Sequence, residues 1–253
     1  MRAALVAIAS LLIAVPLTVG SAHADPPVAQ GDAAVANDAS AAPSASETAV
    51  ECNEQRADPA LIRRSYIPVG GAPEDVRRRR EAHTAAIRLR TQRYGYFEGF
   101  GDASDNAHPP SHYTEVATFM NLPVRMNRRV IPALHCVERD IGMRCTTTPY
   151  HARHLEGLRT VNSFRGGEVS NHVYGIAIDI DPQRNPCCGC GTMFANNPHC
   201  RAHTDNVYER MEMPRCWIES FERYGFYWLG NDRNLRDLMH FEFLADPDRI
   251  VRQ

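Results

Sequence analysis

The chain has 253 residues, and its 28 basic and 30 acidic side chains give a net charge of −2 at neutral pH. A nearly neutral chain has no electrostatic case for binding nucleic acid. The eight cysteines are an even number, which favours disulfide bonds if the protein is exported. Composition therefore argues against a nucleic-acid-binding protein.

The first 24 residues have the pattern of a secretory signal peptide. Arg2 supplies a positive charge, residues 3–19 form an apolar run, and Ala22-His23-Ala24 is a small-x-small cleavage site. An uncleaved membrane anchor is the alternative, although the good cleavage site favours removal. No later stretch is long and apolar enough to cross a bilayer. We expect an exported protein, periplasmic or secreted, with no stable membrane insertion after signal removal.

The rest of the chain divides into a linker and one domain. Residues 25–50 are rich in Ala, Ser and Pro and carry almost nothing large to bury, which is typical of a flexible linker. Residues 51–253 are enough for a single domain, with a helical N-terminal extension and a cysteine-rich insert at 187–216. Nothing in the sequence indicates an oligomeric state.

Three helices are expected from apolar spacing and stop signals. The first contains Ile87 and Leu89 and presents the run Arg77–Arg80 to solvent. The second covers 127–141 and is ended by Gly142. The third runs from about Pro214 to Tyr224 and is ended by Gly225. Between the last two, the apolar period changes from helical to alternating.

Two alternating stretches predict half-buried strands, Ile176–Asp181 and His240–Phe243. Each places apolar residues on one face and polar candidates on the other. The fold class expected is α+β, with a small antiparallel sheet that carries the functional site and is packed against helices.

The polar faces of these strands supply a candidate metal site. Two imidazoles and a carboxylate, His172, Asp179 and His240, are a recurring ligand set for one catalytic zinc ion, because three protein ligands leave a position open for water. His172 and Asp179 are seven residues apart, so an unbroken strand would point them to opposite faces. They share a metal only if the chain turns or bulges between them, and Gly175 is the residue that could allow it.

The cysteines allow 105 pairings, and spacing does not choose among them. They are Cys52, Cys136, Cys145, Cys187, Cys188, Cys190, Cys200 and Cys216. The cluster 187–190 with His199 and Cys200 could instead hold a structural metal. Disulfides are favoured, because adjacent cysteines rarely serve one tetrahedral site. A redox or metal-storage role for the insert is the weakest alternative.

Two motifs resemble those of the M15 zinc metallopeptidases. Ser170-x-His172-x-x-Gly175-x-Ala177-x-Asp179 is similar to the first zinc motif of that family, and His240-Phe241-Glu242 is similar to the second. The resemblance extends over about 127–243 and is greatest to the D-alanyl-D-alanine carboxypeptidase-like branch. It implies a D,D-peptidase or hedgehog-like fold.

Position by position, the resemblance makes His172, Asp179 and His240 the zinc ligands. It implies Asp237 as the general base, where many members carry Glu. Arg165 matches an arginine that stabilises the oxyanion and contacts substrate, and Ser170 matches a substrate-binding position. Glu242 is expected to accept a hydrogen bond from a metal-bound imidazole rather than to act as the base.

The function implied is hydrolysis of a peptide bond in peptidoglycan stem peptides, most simply as a D-alanyl-D-alanine carboxypeptidase. A peptidoglycan L,D-endopeptidase of the same family is the first alternative. The second is a non-catalytic zinc module that binds cell-wall peptide or a protein partner. The presence of Asp237 favours catalysis.

Overall fold

The computed structural model describes residues 51–63, 70–164 and 168–251. The predicted signal peptide at 1–24, the predicted linker at 25–50 and Arg165 lie outside these residues. Within the described ranges, no helix combines the length and the apolar character needed to span a membrane.

Helices and short antiparallel sheets make up the domain. In chain order they are α1 (Pro73–Tyr94), β1 (Thr114–Phe119), β2 (Leu122–Asn127), α2 (Ile131–Arg144), β3 (Leu155–Glu156), β4 (Ala177–Ile180), α3 (Pro198–Arg201), α4 (Arg215–Arg223), β5 (Phe226–Trp228) and β6 (His240–Phe243). Strands β1 and β2 form a hairpin, and the other four form one sheet in the order β3-β4-β6-β5. All its pairings are antiparallel, so the expected α+β class is confirmed.

The register of the four-stranded sheet separates an apolar face from a polar one. Asp179 of β4 lies opposite His240 of β6, and directly paired residues share a face. The other face carries Phe241, which stacks on Phe221 of α4 with ring centroids 4.1 Å apart. That face packs into the main hydrophobic core together with α2.

The prediction that β4 and β6 are half-buried was wrong, because all eight of their residues are buried. Tyr227 of β5 lies opposite Glu242, on the polar face, and packs in a second apolar cluster with Leu61 and Ala86. These last two residues come from the N-terminal extension. The extension therefore covers the face that carries the candidate ligands.

Two of the three helix predictions agree with the structure. Helix α1 contains the arginine run and buries Ile87, and α4 ends two residues before Gly225, whose φ is +88°. The stop at Gly142 was wrong: α2 continues through it to Arg144. It also begins four residues later than expected, because residues 122–127 form β2 instead.

All eight cysteines form disulfides, as expected. The pairs are Cys52–Cys136, Cys145–Cys216, Cys187–Cys190 and Cys188–Cys200. The first ties the start of the domain to α2, and the second ties the end of α2 to α4. The last two lie within the cysteine-rich insert.

The disulfide with the longest loop is expected to contribute most to stability. In the chain-entropy description, closing the 84-residue span of Cys52–Cys136 stabilises by roughly 4.6 kcal/mol, against roughly 2.8 kcal/mol for the 12-residue span of Cys188–Cys200. Denaturant unfolding of the two double Cys→Ala variants measures the difference. A greater loss from removing Cys188–Cys200 would contradict this order.

Candidate metal centre

The three predicted ligands converge on one point. His172 Nε2 lies 3.1 Å from His240 Nδ1 and 3.2 Å from Asp179 Oδ2, and His240 Nδ1 lies 2.8 Å from Asp179 Oδ1. All three side chains are buried. Two imidazoles and a carboxylate thus point their ligating atoms toward each other, inside the protein.

A tight turn brings His172 back toward the sheet. Residues Asn171–Tyr174 form a short 3-10 helix capped by the Ser170 side chain, and Gly175 ends it in the left-handed conformation at φ +67°. A β-carbon at Gly175 would meet Thr114 Cγ2 at 2.9 Å and the Asn127 backbone nitrogen at 3.0 Å. The predicted reversal is therefore present, but as a helical turn before β4 rather than a bulge within it.

Hydrogen bonds fix which ring nitrogen of His172 faces the common point. Its Nδ1 lies 2.6 Å from the carbonyl oxygen of Gly157, and a carbonyl only accepts. Nδ1 therefore carries the proton, which leaves the Nε2 lone pair directed at Asp179 and His240. This is the arrangement by which proteins orient metal-bound histidines.

His240 faces the common point with its other ring nitrogen. Its Nδ1 faces Asp179, and its Nε2 lies 3.6 Å from Glu242 Oε2. Burial alone would lower the pKa of His240, but the carboxylates of Asp179 and Glu242 raise it to about 10. The imidazole is thus held in strong negative potential, which a metal cation would also experience.

The donor set fits a tetrahedral zinc ion. Bonds of 2.0–2.1 Å in a tetrahedron place neighbouring ligand atoms about 3.3 Å apart. The two ring nitrogens here lie 3.1 Å apart, and Asp179 approaches them with different oxygens, Oδ1 at 2.8 Å from His240 and Oδ2 at 3.2 Å from His172. The charge of the site also suits a metal cation, since three buried carboxylates, Asp179, Asp237 and Glu242, surround these imidazoles.

Arg159 is a residue of the site that the sequence motifs did not identify. Its guanidinium forms an ion pair with Asp179 Oδ2 and donates to Glu156 Oε2 at 2.8 Å, while its backbone nitrogen donates to the His172 carbonyl. Burial alone would lower the pKa of Arg159, but the Asp179 carboxylate raises it. No spacing rule relates Arg159 to the zinc motifs, so only the folded structure brings it to Asp179.

Asp237 lies beside the cluster with one oxygen uncommitted. It is buried, and its Oδ1 makes no hydrogen bond to any residue in the described part of the chain. Burial raises the pKa of Asp237 to about 7, and the charges of Asp179 and Glu242 also raise it. A carboxyl group that titrates near neutrality is suited to accept and return a proton.

The cysteine-rich insert holds the segment that carries Asp237. The backbone nitrogens of Cys188 and Gly189 donate to the carbonyls of Arg236 and Leu235, at 3.1 and 2.6 Å. In return, Leu238 donates to the Pro186 carbonyl at 3.3 Å, and Cys187 forms a β-bridge with Asp237. The disulfides Cys187–Cys190 and Cys188–Cys200 lie within the insert, so the insert supports the site through these backbone contacts.

The N-terminal extension supports Glu242 from the other side. Arg90 of α1 donates to Asn171 Oδ1 at 2.7 Å and to the Leu61 carbonyl at 3.2 Å. Asn171 donates in turn to Glu242 Oε2. Glu242 Oε2 is thus placed between Asn171 and His240, but it lies 3.6 Å from His240 Nε2 and Oε1 makes no hydrogen bond in the described ranges, so the hydrogen-bonding role expected for Glu242 stays a prediction.

Two predicted residues stay untested. Ser170 is buried, and its hydroxyl accepts from the His172 backbone nitrogen at 3.3 Å, so it helps to form the turn. Substrate contact by Ser170 stays a prediction. Arg165 lies outside the described residues, and its two predicted roles stay predictions as well.

Comparison with known proteins agrees with the motifs. Residues 165–243 match the M15 peptidase family model described as D-alanyl-D-alanine carboxypeptidase. No curated protein and no solved structure matches the chain. The matched segment contains the turn, β4, the insert, α4, β5 and β6, and it confirms the resemblance to the M15 peptidases.

The turn at Gly175 can be tested through metal binding. A side chain at φ +67° is strained, and its contacts with Thr114 and Asn127 are tighter than normal. We expect Gly175→Ala to lower the free energy of unfolding by about 2 kcal/mol and to weaken zinc binding, measured by denaturation and by competition with a chromogenic chelator.

Gly142→Ala is the matched control. Gly142 lies in α2, and a β-carbon there meets nothing within 4 Å. Alanine at this position is expected to stabilise by about 0.5–1 kcal/mol and to leave zinc affinity unchanged. If Gly175→Ala behaves like Gly142→Ala, the turn does not depend on glycine.

Proposed function

We propose that this protein, whose residues 165–243 match the M15 peptidase family model, is an exported zinc peptidase that hydrolyses a peptide bond in peptidoglycan stem peptides. A D-alanyl-D-alanine carboxypeptidase is the version favoured by the description of the matched family. A stem-peptide endopeptidase of the same family is the alternative.

One observation carries the proposal. His172, Asp179 and His240 point their ligating atoms at one another, and Asp237 is buried close enough for its charge to interact with those of His240 and Asp179, with Oδ1 making no hydrogen bond in the described ranges. A structural metal site is usually closed by four protein ligands, whereas three ligands and a nearby carboxylate are typical of hydrolytic zinc sites. This combination favours catalysis over a purely structural or binding role.

The residues present divide the chemistry among them. Zinc held by His172, Asp179 and His240 would supply Lewis acidity, which activates water and polarises a carbonyl group. Asp237 accepts the proton from the attacking water and delivers it to the leaving amine. Arg159 forms an ion pair with Asp179 and orients its carboxylate, and Glu242 would hold the His240 ring.

The role of Asp237 can be separated from that of Glu242 by substitution. Because Asp237 Oδ1 has no hydrogen-bond partner in the described ranges, Asp237→Asn should fold normally and retain zinc. We expect its kcat to fall by about 10²–10⁴-fold, which is the usual contribution of a general base. Zinc content by mass spectrometry and turnover of a defined muropeptide are the measurements.

Glu242→Gln is the matched comparison. It should weaken zinc affinity by about 10–100-fold and recover activity at saturating zinc, because Glu242 acts through His240. The assignment of the base is wrong if Asp237→Asn keeps full activity, or if Glu242→Gln stays inactive while fully loaded with zinc.

The function itself is tested with defined muropeptides. We expect the purified enzyme to remove one alanine from a pentapeptide stem, to lose activity with a chelator, and to regain it when zinc is added. Mass spectrometry separates loss of one alanine from cleavage within the stem, which would indicate the endopeptidase. Binding of muropeptide without cleavage under every condition would identify a non-catalytic module.

A further inference from the structure

A cleft of about 650 Å³ lies at the β5 edge of the sheet and is rich in arginine. One wall is residues 205–210 of the cysteine-rich insert, and the other is the loop at 230–236. Three arginines and one aspartate, Asp205, supply the charges of its lining, which leaves an excess of two positive charges. The volume is in the range of ordinary ligand-binding sites.

The charge of this cleft is unusual within the molecule. The whole chain carries a net charge of −2, and many of its arginines pair with carboxylates elsewhere on the surface. Arg233 and Arg236 form no ion pair with any residue of the described ranges. Two guanidiniums with unused donors in a concave site are suited to bind a carboxylate or phosphate group.

Both walls of the cleft are well ordered by their own contacts. Arg210 donates from Nε and Nη2 to the Thr204 carbonyl, at 3.1 and 2.6 Å. In the opposite wall, Asp232 Oδ1 accepts from the backbone nitrogens of Asn234 and Leu235, and the Asp232 carbonyl accepts from Arg236. The arginines are therefore held on defined backbone rather than on a long free loop.

The backbone of Arg236 has an uncommon conformation. Its φ is +45°, which residues with a side chain adopt only at an energetic cost. Two hydrogen bonds maintain this conformation: the Arg236 backbone nitrogen donates to the Asp232 carbonyl, and the Arg236 carbonyl accepts from the Cys188 backbone nitrogen. Arg236 directly precedes Asp237, so this conformation fixes the backbone of an arginine immediately before the proposed base.

The sheet register places the cleft beside the metal centre. Tyr227 lines the cleft and pairs with Glu242, whose neighbour two residues earlier on β6 is His240. Tyr227 and the candidate ligands share one face of the sheet, and adjacent strands are about 4.8 Å apart. Because Tyr227 is buried against Leu61 and Ala86, the link from the cleft to the metal centre runs through Arg236, which lines the cleft and directly precedes Asp237.

We infer that the cleft formed by Arg210, Arg233 and Arg236 binds a carboxylate group of the peptide substrate. The inference rests on the proposed function, because it places an acidic peptide at the neighbouring centre. The ligand group we propose is a carboxylate, since the stem peptides of the proposed substrate carry one carboxylate on the glutamyl residue and one at the C-terminus.

The test is equilibrium binding by calorimetry, which requires no turnover. The probe is L-alanyl-γ-D-glutamyl-L-lysyl-D-alanyl-D-alanine, used with free carboxylates, as the glutamyl amide, and as the C-terminal amide. The proteins are the zinc-loaded full chain with Asp237→Asn, which prevents turnover during the titration, and the same protein with Arg233→Gln/Arg236→Gln added. Arg77→Gln/Arg80→Gln, at two exposed arginines of α1 far along the chain from both walls, is the control for the same change in net charge.

We expect the protein with Arg233→Gln/Arg236→Gln to bind the free peptide at least about tenfold more weakly, which is the loss typical of a charged hydrogen bond. Amidation of the recognised carboxylate should weaken binding to the protein that keeps both arginines by a similar factor and have little further effect in the protein that lacks them. Dependence on the glutamyl amide or on the C-terminal amide supports the inference and identifies the carboxylate.

Two results overturn the inference. One is unchanged affinity in the protein with Arg233→Gln/Arg236→Gln, and the other is an equal loss for all three peptides, which would indicate a general structural effect. If the native enzyme cleaves the peptide but the arginine substitutions and the amidation do not depend on each other, the proposed function is supported and the inference about the cleft is wrong. If the coupling is found without turnover, the cleft inference is supported and the peptidase proposal is wrong. If the peptide is neither bound nor cleaved, both are wrong.

Discussion

The pairing of β4 with β6 is the constraint on which the site depends. Asp179 lies directly opposite His240 in this antiparallel pair, which brings a carboxylate and an imidazole from distant parts of the chain into contact. A shift of one residue would move either side chain to the apolar face. The phenylalanines and isoleucines of that face, packed against α4, therefore fix the register of the metal ligands.

The burial of this cluster requires compensation from other parts of the chain. Three carboxylates lie within or beside it, and isolated buried charges are costly. Arg159 neutralises Asp179, and Arg90 holds the amide that binds Glu242. Both arginines precede the segment that matches the peptidase family, so the N-terminal region completes the site as well as covering it.

The sequence predicted the local features of the site well. Alternation identified β4 and β6, spacing identified the need for a reversal at Gly175, and residue chemistry identified the three converging side chains. These are properties of single strands and turns. The error at Gly142 has the same origin, since nothing local shows that α2 packs well enough to continue through a glycine.

The features that the sequence did not predict all arise from contacts between distant segments. Arg159 meets Asp179 because β3 pairs with β4, and a single sequence does not specify that pairing. Disulfide connectivity was open for the same reason, since Cys52–Cys136 joins residues 84 apart. The burial of the polar face depends on Leu61 and Ala86, which lie more than 75 residues before β4 begins.

The cysteine-rich insert shows how such a small sheet can hold a precise site. Strand β6 has four residues, and Asp237 comes before it, outside the sheet proper. The insert adds a two-sided hydrogen-bonded ribbon to this segment, and the disulfides Cys187–Cys190 and Cys188–Cys200 constrain the insert's side of the ribbon. Gly189 is the residue of closest approach, because a β-carbon there would collide with the carbonyl oxygens of Asn234 and Leu235. In an oxidising compartment these bonds persist, so a covalently constrained insert, together with the packing of Leu238 and Met239, positions the proposed base and Arg236.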